Sequence, residues 1–468
     1  MESVRTSPSS RLEPASFRDP DSRVFYAANG DVCRALSADG LADWQRLAAT
    51  RFFPQLVAEG RLVGSELIEA TAPDGFAAVL RHETIPFVSY PYEWCFGMLR
   101  EAALLQLDLV AAALAEDMIL KDASPYNVQW RGARPVFVDV GSFERLREGE
   151  PWAGYRQFCS LFLYPLMLQA WKGVPFNVWL RGSLEGISPN EVRGLLSLRD
   201  RLRRGVTTHV VLHSRLDRRY EAKDGVRREL KSAGFHKGLI EANVNGLRKL
   251  VRRLEWRPGP STWSGYEATT TYTEEDAERK AAFVRAAAAS SRWRLLWDLG
   301  CNDGRYTRLA AEHADYAVAV DGDAAVIERL YVELSGEGNE TILPLTMNLA
   351  DPSPGLGWRG RERSPLWERG RPELTLCLAF LHHLVISGNV PLRDAVDWLR
   401  SLGGALVVEF VTRDDPMAKL LLSRKREGLH IDYERAVFER LLADAFAVER
   451  TEELARGTRV LYFARPKA

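Results

Sequence analysis

Hydrophobic positions along the chain follow two different periods. Leucine and alanine recur three and four residues apart over 97–117, which predicts a long helix. A second apolar stretch, 154–179, is rich in aromatic residues and reads as a buried helical pair. Ahead of these, 23–94 mixes short strand-like runs with one helical segment at 41–59. Two strand candidates follow at 127–130 and 135–140, around a turn at 131–134. From 198 to 257 the chain is basic and helical in pattern, until Pro258-Gly259-Pro260-Ser261 stops any helix. Beyond it, strand-like runs at 295–299, 316–320, 342–347, 374–380 and 405–410 alternate with helical segments. That alternation predicts a parallel, doubly wound α/β sheet. The expected organisation is a disordered tail over 1–22, an α+β domain over 23–257 and an α/β domain over 258–468.

Composition changes this picture little. The 468 residues suit two to three domains at ~150 residues each. Lys+Arg and Asp+Glu balance at 63 each. A chain-wide electrostatic case for nucleic acid or a membrane therefore falls away, and only local patches stay open. The basic 199–257 stretch has interspersed acids and no stacking aromatic pattern, so it reads as solvated helix faces in preference to nucleic-acid contact. Cys33, Cys95, Cys159, Cys301 and Cys377 are widely spaced without a C-x-x-C pair, so neither a disulfide framework nor a metal site is expected. Residues 1–22 lack the apolar run of a signal peptide. The apolar stretches 102–115 and 159–171 are interrupted by Asp108 and Pro165 and are shorter than the ~20 residues of a membrane span. A cytoplasmic protein with no membrane partner is expected.

Candidate chemistry begins at 297–304, where Trp-Asp298-Leu-Gly300-Cys-Asn302-Asp-Gly304 joins a strand to a helical segment. A strand, a tight glycine turn and a helix place backbone N–H groups against a ligand. Asp321 ends the next strand about twenty residues on. A carboxylate there suits two ribose hydroxyls.

These residues resemble a class I, seven-strand S-adenosylmethionine-dependent methyltransferase over roughly 262–468. The turn matches that family's first motif, with Asn302 in place of the middle glycine; Asn tolerates a left-handed turn better than most residues. Asp321 matches its ribose-binding acid, and Asn348-Leu349 falls where an Asp usually lies near the adenine. Asn348 keeps an amide oxygen that can accept from an amino group. The resemblance implies S-adenosyl-L-methionine as cofactor, bound by Asp298, Gly300, Asn302, Gly304, Asp321, Asn348 and Leu349. The strand at 374–380 with Leu381-His382-His383 matches the fourth motif. More narrowly, the His-His pair with Glu409-Phe410-Val411 and Asp415-Pro416-Met417 resembles bacterial nodulation-protein-like methyltransferases. His382 or His383, at the strand edge where ligands bind, is the candidate base, and Glu409 the candidate to orient it or touch substrate. Trp263, Tyr266 and Tyr272, just upstream, read either as a lid or as packed linker residues.

A second constellation lies in the N-terminal region. Asp122 and Asn127 are five apart, and Asp139-Val140-Gly141 follows twelve residues after Asn127. This spacing resembles the protein-kinase and aminoglycoside-phosphotransferase-like fold, which implies a nucleotide and magnesium site at Asp122, Asn127 and Asp139. No Gly-x-Gly-x-x-Gly loop is present; Lys121 lies in the loop itself, and Arg81 is only a weak stand-in for the strand lysine. The leading expectation is a methyltransferase acting on a small-molecule acceptor, with a non-catalytic kinase-like domain. A phosphotransferase with a regulatory methyltransferase-like domain, and a non-catalytic two-domain binding protein, stay open beside it.

Overall fold

In the computed structural model of the chain the described residues are 11–70, 72, 73, 75–215, 236–259 and 273–467. Contacts divide the chain into two compact units. One comprises Met1–Trp130, Pro135–Arg257 and Gly355–Arg363; the other comprises Arg131–Arg134, Pro258–Pro354 and Ser364–Ala468. Trp263, Tyr266 and Tyr272 lie outside the described residues.

The first unit is built on a five-stranded antiparallel sheet in the order β1-β2-β3-β5-β4. Its strands are β1 (Arg11–Leu12), β2 (Ser22–Tyr26), β3 (Val32–Leu36), β4 (Ser65–Ile68) and β5 (Ala78–His82). Residues 11–22, expected within a disordered tail, are instead tied down. Glu13 accepts the Ala15 N–H at 3.2 Å and the Tyr26 hydroxyl at 2.9 Å. The single helix expected over 41–59 is two, α1 (Ala38–Ala48) and α2 (Phe52–Ala58). The break has a local cause: Thr50 Oγ1 accepts the Phe53 N–H at 3.3 Å, and Glu116 accepts from the Arg51 and Phe52 N–H groups. The long helix α3 (Phe96–Ala115) follows, buried on nearly every side, as its run of leucine and alanine requires. Short pairs come next: β6 (Met118–Leu120) with β9 (Phe143–Arg145), and β7 (Val128–Arg131) with β8 (Arg134–Phe137). The aromatic stretch folds as α4 (Tyr155–Phe158), a π turn at Cys159–Leu163, α5 (Tyr164–Lys172) and α6 (Phe176–Gly182). Then come α7 (Pro189–Leu195) and α8 (Lys237–Val251).

The second unit opens with α9 (Glu274–Ala288), capped by Thr273 in a reciprocal box with Asp276. It then alternates β10 (Trp293–Leu299), α10 (Arg305–Ala311), β11 (Ala314–Asp321), α11 (Ala324–Gly336), β12 (Ile342–Thr346) and β13 (Leu374–Cys377). After these come α12 (Leu392–Ser401), β14 (Ala405–Val411), α13 (Pro416–Ser423), α14 (Arg435–Ala445), β15 (Phe446–Glu453) and β16 (Arg459–Pro466). The seven strands form one sheet in the order β12-β11-β10-β13-β14-β16-β15. The first five are mutually parallel; Asp298 faces Ala319 of β11 and Leu376 of β13 in register. β16 runs antiparallel between β14 and β15. This is a Rossmann-like sheet with an added antiparallel hairpin. The hairpin escaped the sequence pattern because β15, at the edge, is a mostly exposed and charged strand.

The chain winds outward from β10 to β12 and restarts at β13 on the other side of β10. The C-terminal ends of β10 and β13 thus flank the point where strand order reverses, the usual ligand crevice of such sheets. Every residue of β14 is buried, as expected of a strand covered on both faces. No helix of the described residues is long and apolar enough to cross a membrane.

Candidate functional site

The turn after β10 is set by backbone geometry that few residue types tolerate. Gly300 has φ +82°, and a Cβ there would sit 2.9 Å from the Phe380 side chain. Gly304 has φ +78° and the Leu330 side chain in the same relation. Asn302 takes φ 49°, the left-handed turn expected of an asparagine. Asp321, at the end of β11, accepts the Asn302 N–H on one carboxylate oxygen at 3.0 Å and the Asp323 N–H on the other at 2.9 Å. So the turn and the acid are fastened to each other, and the acid keeps lone pairs for further donors.

Around them lies a cavity of about 390 Å³. Its walls come from four of the five parallel strand ends: Gly300–Asp303 after β10, Asp321–Asp323 after β11, Met347–Leu349 after β12 and Leu378–Phe380 after β13. Asp298, Gly300, Asn302, Asp321, Asn348, Leu349 and His383 all line it, whereas Gly304 supports the turn from behind. Asn348 is already engaged: its amide oxygen accepts the Ala350 N–H at 3.0 Å. Ala379 lines the cavity with φ 50°, a strained conformation for alanine that no sequence signal announced.

The three residues expected to carry chemistry part company. His383 lines the cavity, and burial holds its imidazole down at about 4, with Arg459 adding to the shift. His382 is 0 % exposed and does not line the cavity; its ring centroid lies 4.0 Å from that of His383, the rings tilted by 40°, and neither nitrogen has a hydrogen-bond partner among the described residues. A base must reach its proton, and of the two histidines the structure puts only His383 at the cavity. Glu409, also 0 % exposed, lies behind the cavity wall. It pairs with Lys280 at 2.7 Å and with Arg459 at 3.4 Å. Arg459 in turn pairs with buried Asp415 at 2.8 Å, the residue that caps α13. Glu409 therefore does not line the cavity; it pairs with Lys280, which does.

Lys280 is the residue that sequence reasoning missed. It rises from α9, lines the cavity and lies 4.5 Å from the Tyr306 ring centroid. Burial lowers its ammonium below the ordinary lysine range, and Glu409 opposes that shift. Nothing local marked it: its partner is 129 positions away. Asp298, 2 % exposed, accepts the Thr307 hydroxyl at 2.6 Å. Burial pushes its carboxyl up to about 7, against the pull of Thr307 and Lys280. Leaving Asp298 aside, the walls carry Glu274, Asp303, Asp321 and Asp323 against Lys280 and Arg305, an excess of acid that suits a ligand bearing positive charge.

In the first unit, Asn127 donates to Asp139 at 3.2 Å. The other Asp139 oxygen pairs with Arg34 of β3 at 2.8 Å. Arg34 also donates to Ser22 Oγ at 3.1 Å and to His82 Nε2 at 3.3 Å. Asp122 lies within electrostatic range of Asp139; burial, then Asp139, raises its carboxyl. The basic residue at this constellation is thus Arg34 and not Arg81, which is half-exposed and pairs with Glu66 on the neighbouring strand. Among the described residues no group of three or more His, Cys, Asp and Glu side chains is arranged to hold a metal.

The fold and the cavity define a Rossmann-like α/β protein with a ligand crevice where its parallel strands reverse order. No family model matches the chain. The chain belongs to the NoeA family of nodulation proteins: it is 33% identical over 460 residues to nodulation protein NoeA of Rhizobium meliloti strain 1021, a match spanning 96% of this chain and 94% of that protein. Solved structures with which it shares a likeness include N-methyltransferase NodS from Bradyrhizobium japonicum WM9, at 14% identity and TM-score 0.30, over 42% of this chain and 98% of NodS. Another is magnesium protoporphyrin IX methyltransferase from Synechocystis PCC 6803, at 16% identity and TM-score 0.28, over 47% of this chain and 94% of that one.

Proposed function

We propose that the chain is an S-adenosyl-L-methionine-dependent methyltransferase acting on a small-molecule acceptor, and that its N-terminal unit is non-catalytic. One observation carries the reading. The glycine turn and Asp321 are fastened together on the wall of a cavity of about 390 Å³ at the strand-order reversal, within the range of small-molecule sites. The residues fit the cofactor. Gly300 lets the turn close against Phe380 at the cavity wall with its backbone uncovered, Asp321 keeps lone pairs for a ribose diol, and the acidic walls favour a cation. When bound, the cofactor supplies a methyl group already activated on a positively charged sulfonium.

The chain's own residues then position and take a proton. Gly300, Asn302 and Asp321 set the cofactor's place, with Met347, Asn348 and Leu349 along the strand ends beyond. His383, neutral at pH 7, is available to accept the acceptor's proton. Lys280, held by Glu409, offers a fixed ammonium at the cavity wall beside Tyr306.

Titration calorimetry with S-adenosylhomocysteine tests the proposal. The wild-type chain should bind, and Asp321→Ala should weaken binding at least tenfold, since hydrogen bonds to a charged group contribute about 1.5–3 kcal/mol each. No binding heat with the wild type, or equal affinity in the variant, overturns it. In the N-terminal unit Asn127 donates to one Asp139 oxygen and the buried Arg34 guanidinium pairs with the other, offsetting the charge that a magnesium ion would need, which supports a braced, non-catalytic role.

A further inference from the structure

The overall balance of charge conceals a local concentration. Between positions 193 and 215 the chain carries Arg193, Arg199, Arg201, Arg203, Arg204 and Arg215 against a single acid, Asp200. That acid is spent internally. Asp200 is 4 % exposed, accepts the Ser197 N–H at 2.9 Å, and pairs with Lys172 and, at 3.3 Å, with Arg203. These contacts pin a 3₁₀ turn, Asp200–Leu202, just after α7. The basic run is thus not a solvated helix face at this point. Among the described residues Arg199, Arg201 and Arg204 form no ion pair.

What the pinned turn presents is apolar. Leu198 is 77% exposed and Leu202 88%. Leu195 in α7 and Leu212 beyond the turn add 46% and 45% exposure. Two leucines held almost wholly in water by a buried carboxylate are an unusual use of apolar side chains, and exposed Arg199, Arg203 and Arg204 neighbour them along the chain. Nucleic acid would take the arginines and offer nothing to the leucines, and no Phe, Tyr or Trp lies in 193–215 to stack on bases. An anionic lipid surface accepts both. Its headgroups attract the guanidinium groups, and its acyl boundary receives apolar side chains that project past them.

We propose that the turn at 197–204 is a wedge that docks this protein on anionic phospholipid bilayers. The proposal concerns the N-terminal unit and stands apart from the methyltransferase reading. A peripheral contact of this kind needs no membrane-spanning helix.

Co-sedimentation of the full chain with vesicles tests it. Vesicles of phosphatidylcholine mixed with phosphatidylglycerol should carry the protein down, phosphatidylcholine alone should carry down far less, and added salt should release it. Leu198→Ser with Leu202→Ser should weaken binding at least tenfold, and Arg199→Ala with Arg204→Ala by about fivefold for each charge removed. These side chains are exposed, and unchanged urea midpoints would establish that the variants fold. Absence of vesicle binding overturns the proposal, as does binding that both pairs leave untouched. Retention on DNA in place of vesicles would reassign the patch to nucleic acid. Self-association that only the leucine pair abolishes, without vesicle binding, would reassign it to a contact between copies.

Discussion

Replacing Glu409 with glutamine removes the one carboxylate that Lys280 and Arg459 share. At 2.7 Å the Lys280–Glu409 attraction is about 6 kcal/mol at an effective dielectric of 20, before desolvation is set against it. All the charges concerned are buried, with Glu409 at 0%, Lys280 at 2% and Arg459 at 4% exposure. Taking one partner from such a pair typically costs about 3–5 kcal/mol, because the remaining charge stays buried without compensation. Lys280→Met should cost less, since Glu409 would keep Arg459. The double variant, Lys280→Met with Glu409→Gln, leaves Arg459 paired with Asp415 and restores neutrality. It should therefore lose less stability than the two single variants summed, by about 1.5 kcal/mol or more. Urea unfolding of the four proteins gives the coupling directly. Costs that add to within about 0.5 kcal/mol would show that the pair does not act as a unit, and the argument that Glu409 exists to hold Lys280 would fail.

Three further outcomes follow from the same geometry. His383→Ala should lower methyl-transfer turnover about 10²–10⁴-fold with S-adenosylhomocysteine affinity nearly unchanged; full turnover in the variant would assign His383 to packing. His82, whose imidazole burial and then the Arg34 charge hold down at about 3, resists protonation in the folded state while the unfolded chain takes up a proton near 6.5. Its contribution to stability is present above pH 6.5 and declines by about 1.4 kcal/mol per pH unit as pH falls toward 3. Urea midpoints of wild type and His82→Gln should converge over that window, and parallel curves would refute it. Asp139→Asn should destabilise the N-terminal unit, since it leaves Arg34 buried beside a neutral amide, yet leave S-adenosylhomocysteine affinity intact in protein that remains folded. Phosphoryl transfer from Mg-ATP that this substitution abolishes would refute the non-catalytic reading.

What could be read from the sequence was what local spacing encodes. The turn Asp298–Gly304 and Asp321 are some twenty residues apart, and the strand–turn–helix period around them is strong, so their meeting at a sheet edge was foreseeable. The choice between His382 and His383 was not. Adjacent residues differ only in the direction the backbone gives them, and here a π turn at His383–Ser387 sends one ring to the cavity and buries the other. Lys280, Arg459 and Arg34 were invisible for another reason: each acts through a partner remote in sequence, and an isolated basic residue on a helix or strand is usually a surface residue. The break between α1 and α2 was hidden because its cause, Glu116, lies 65 positions from Arg51.

The two buried ion clusters invite a comparison that bears on function. Well-packed apolar residues often match or exceed the stability of a buried ion pair, so neither cluster is explained by stability alone. At Asp139 the charge is neutralised within the protein: Arg34 pairs with one oxygen, and Asn127 donates to the other. A cavity lined by Lys121, Val140 and Gly141, beside Asp139 in the chain, measures only about 20 Å³, room for about one water molecule. At Lys280 the arrangement is the opposite. Glu409 takes the ammonium from behind, yet the lysine still borders about 390 Å³ of cavity shared with the glycine turn. A charge buried on one side and facing a cavity on the other is arranged to meet something that enters. That asymmetry supports the proposal that the chemistry of this chain lies in its C-terminal unit, with Asp122, Asn127 and Asp139 as a brace.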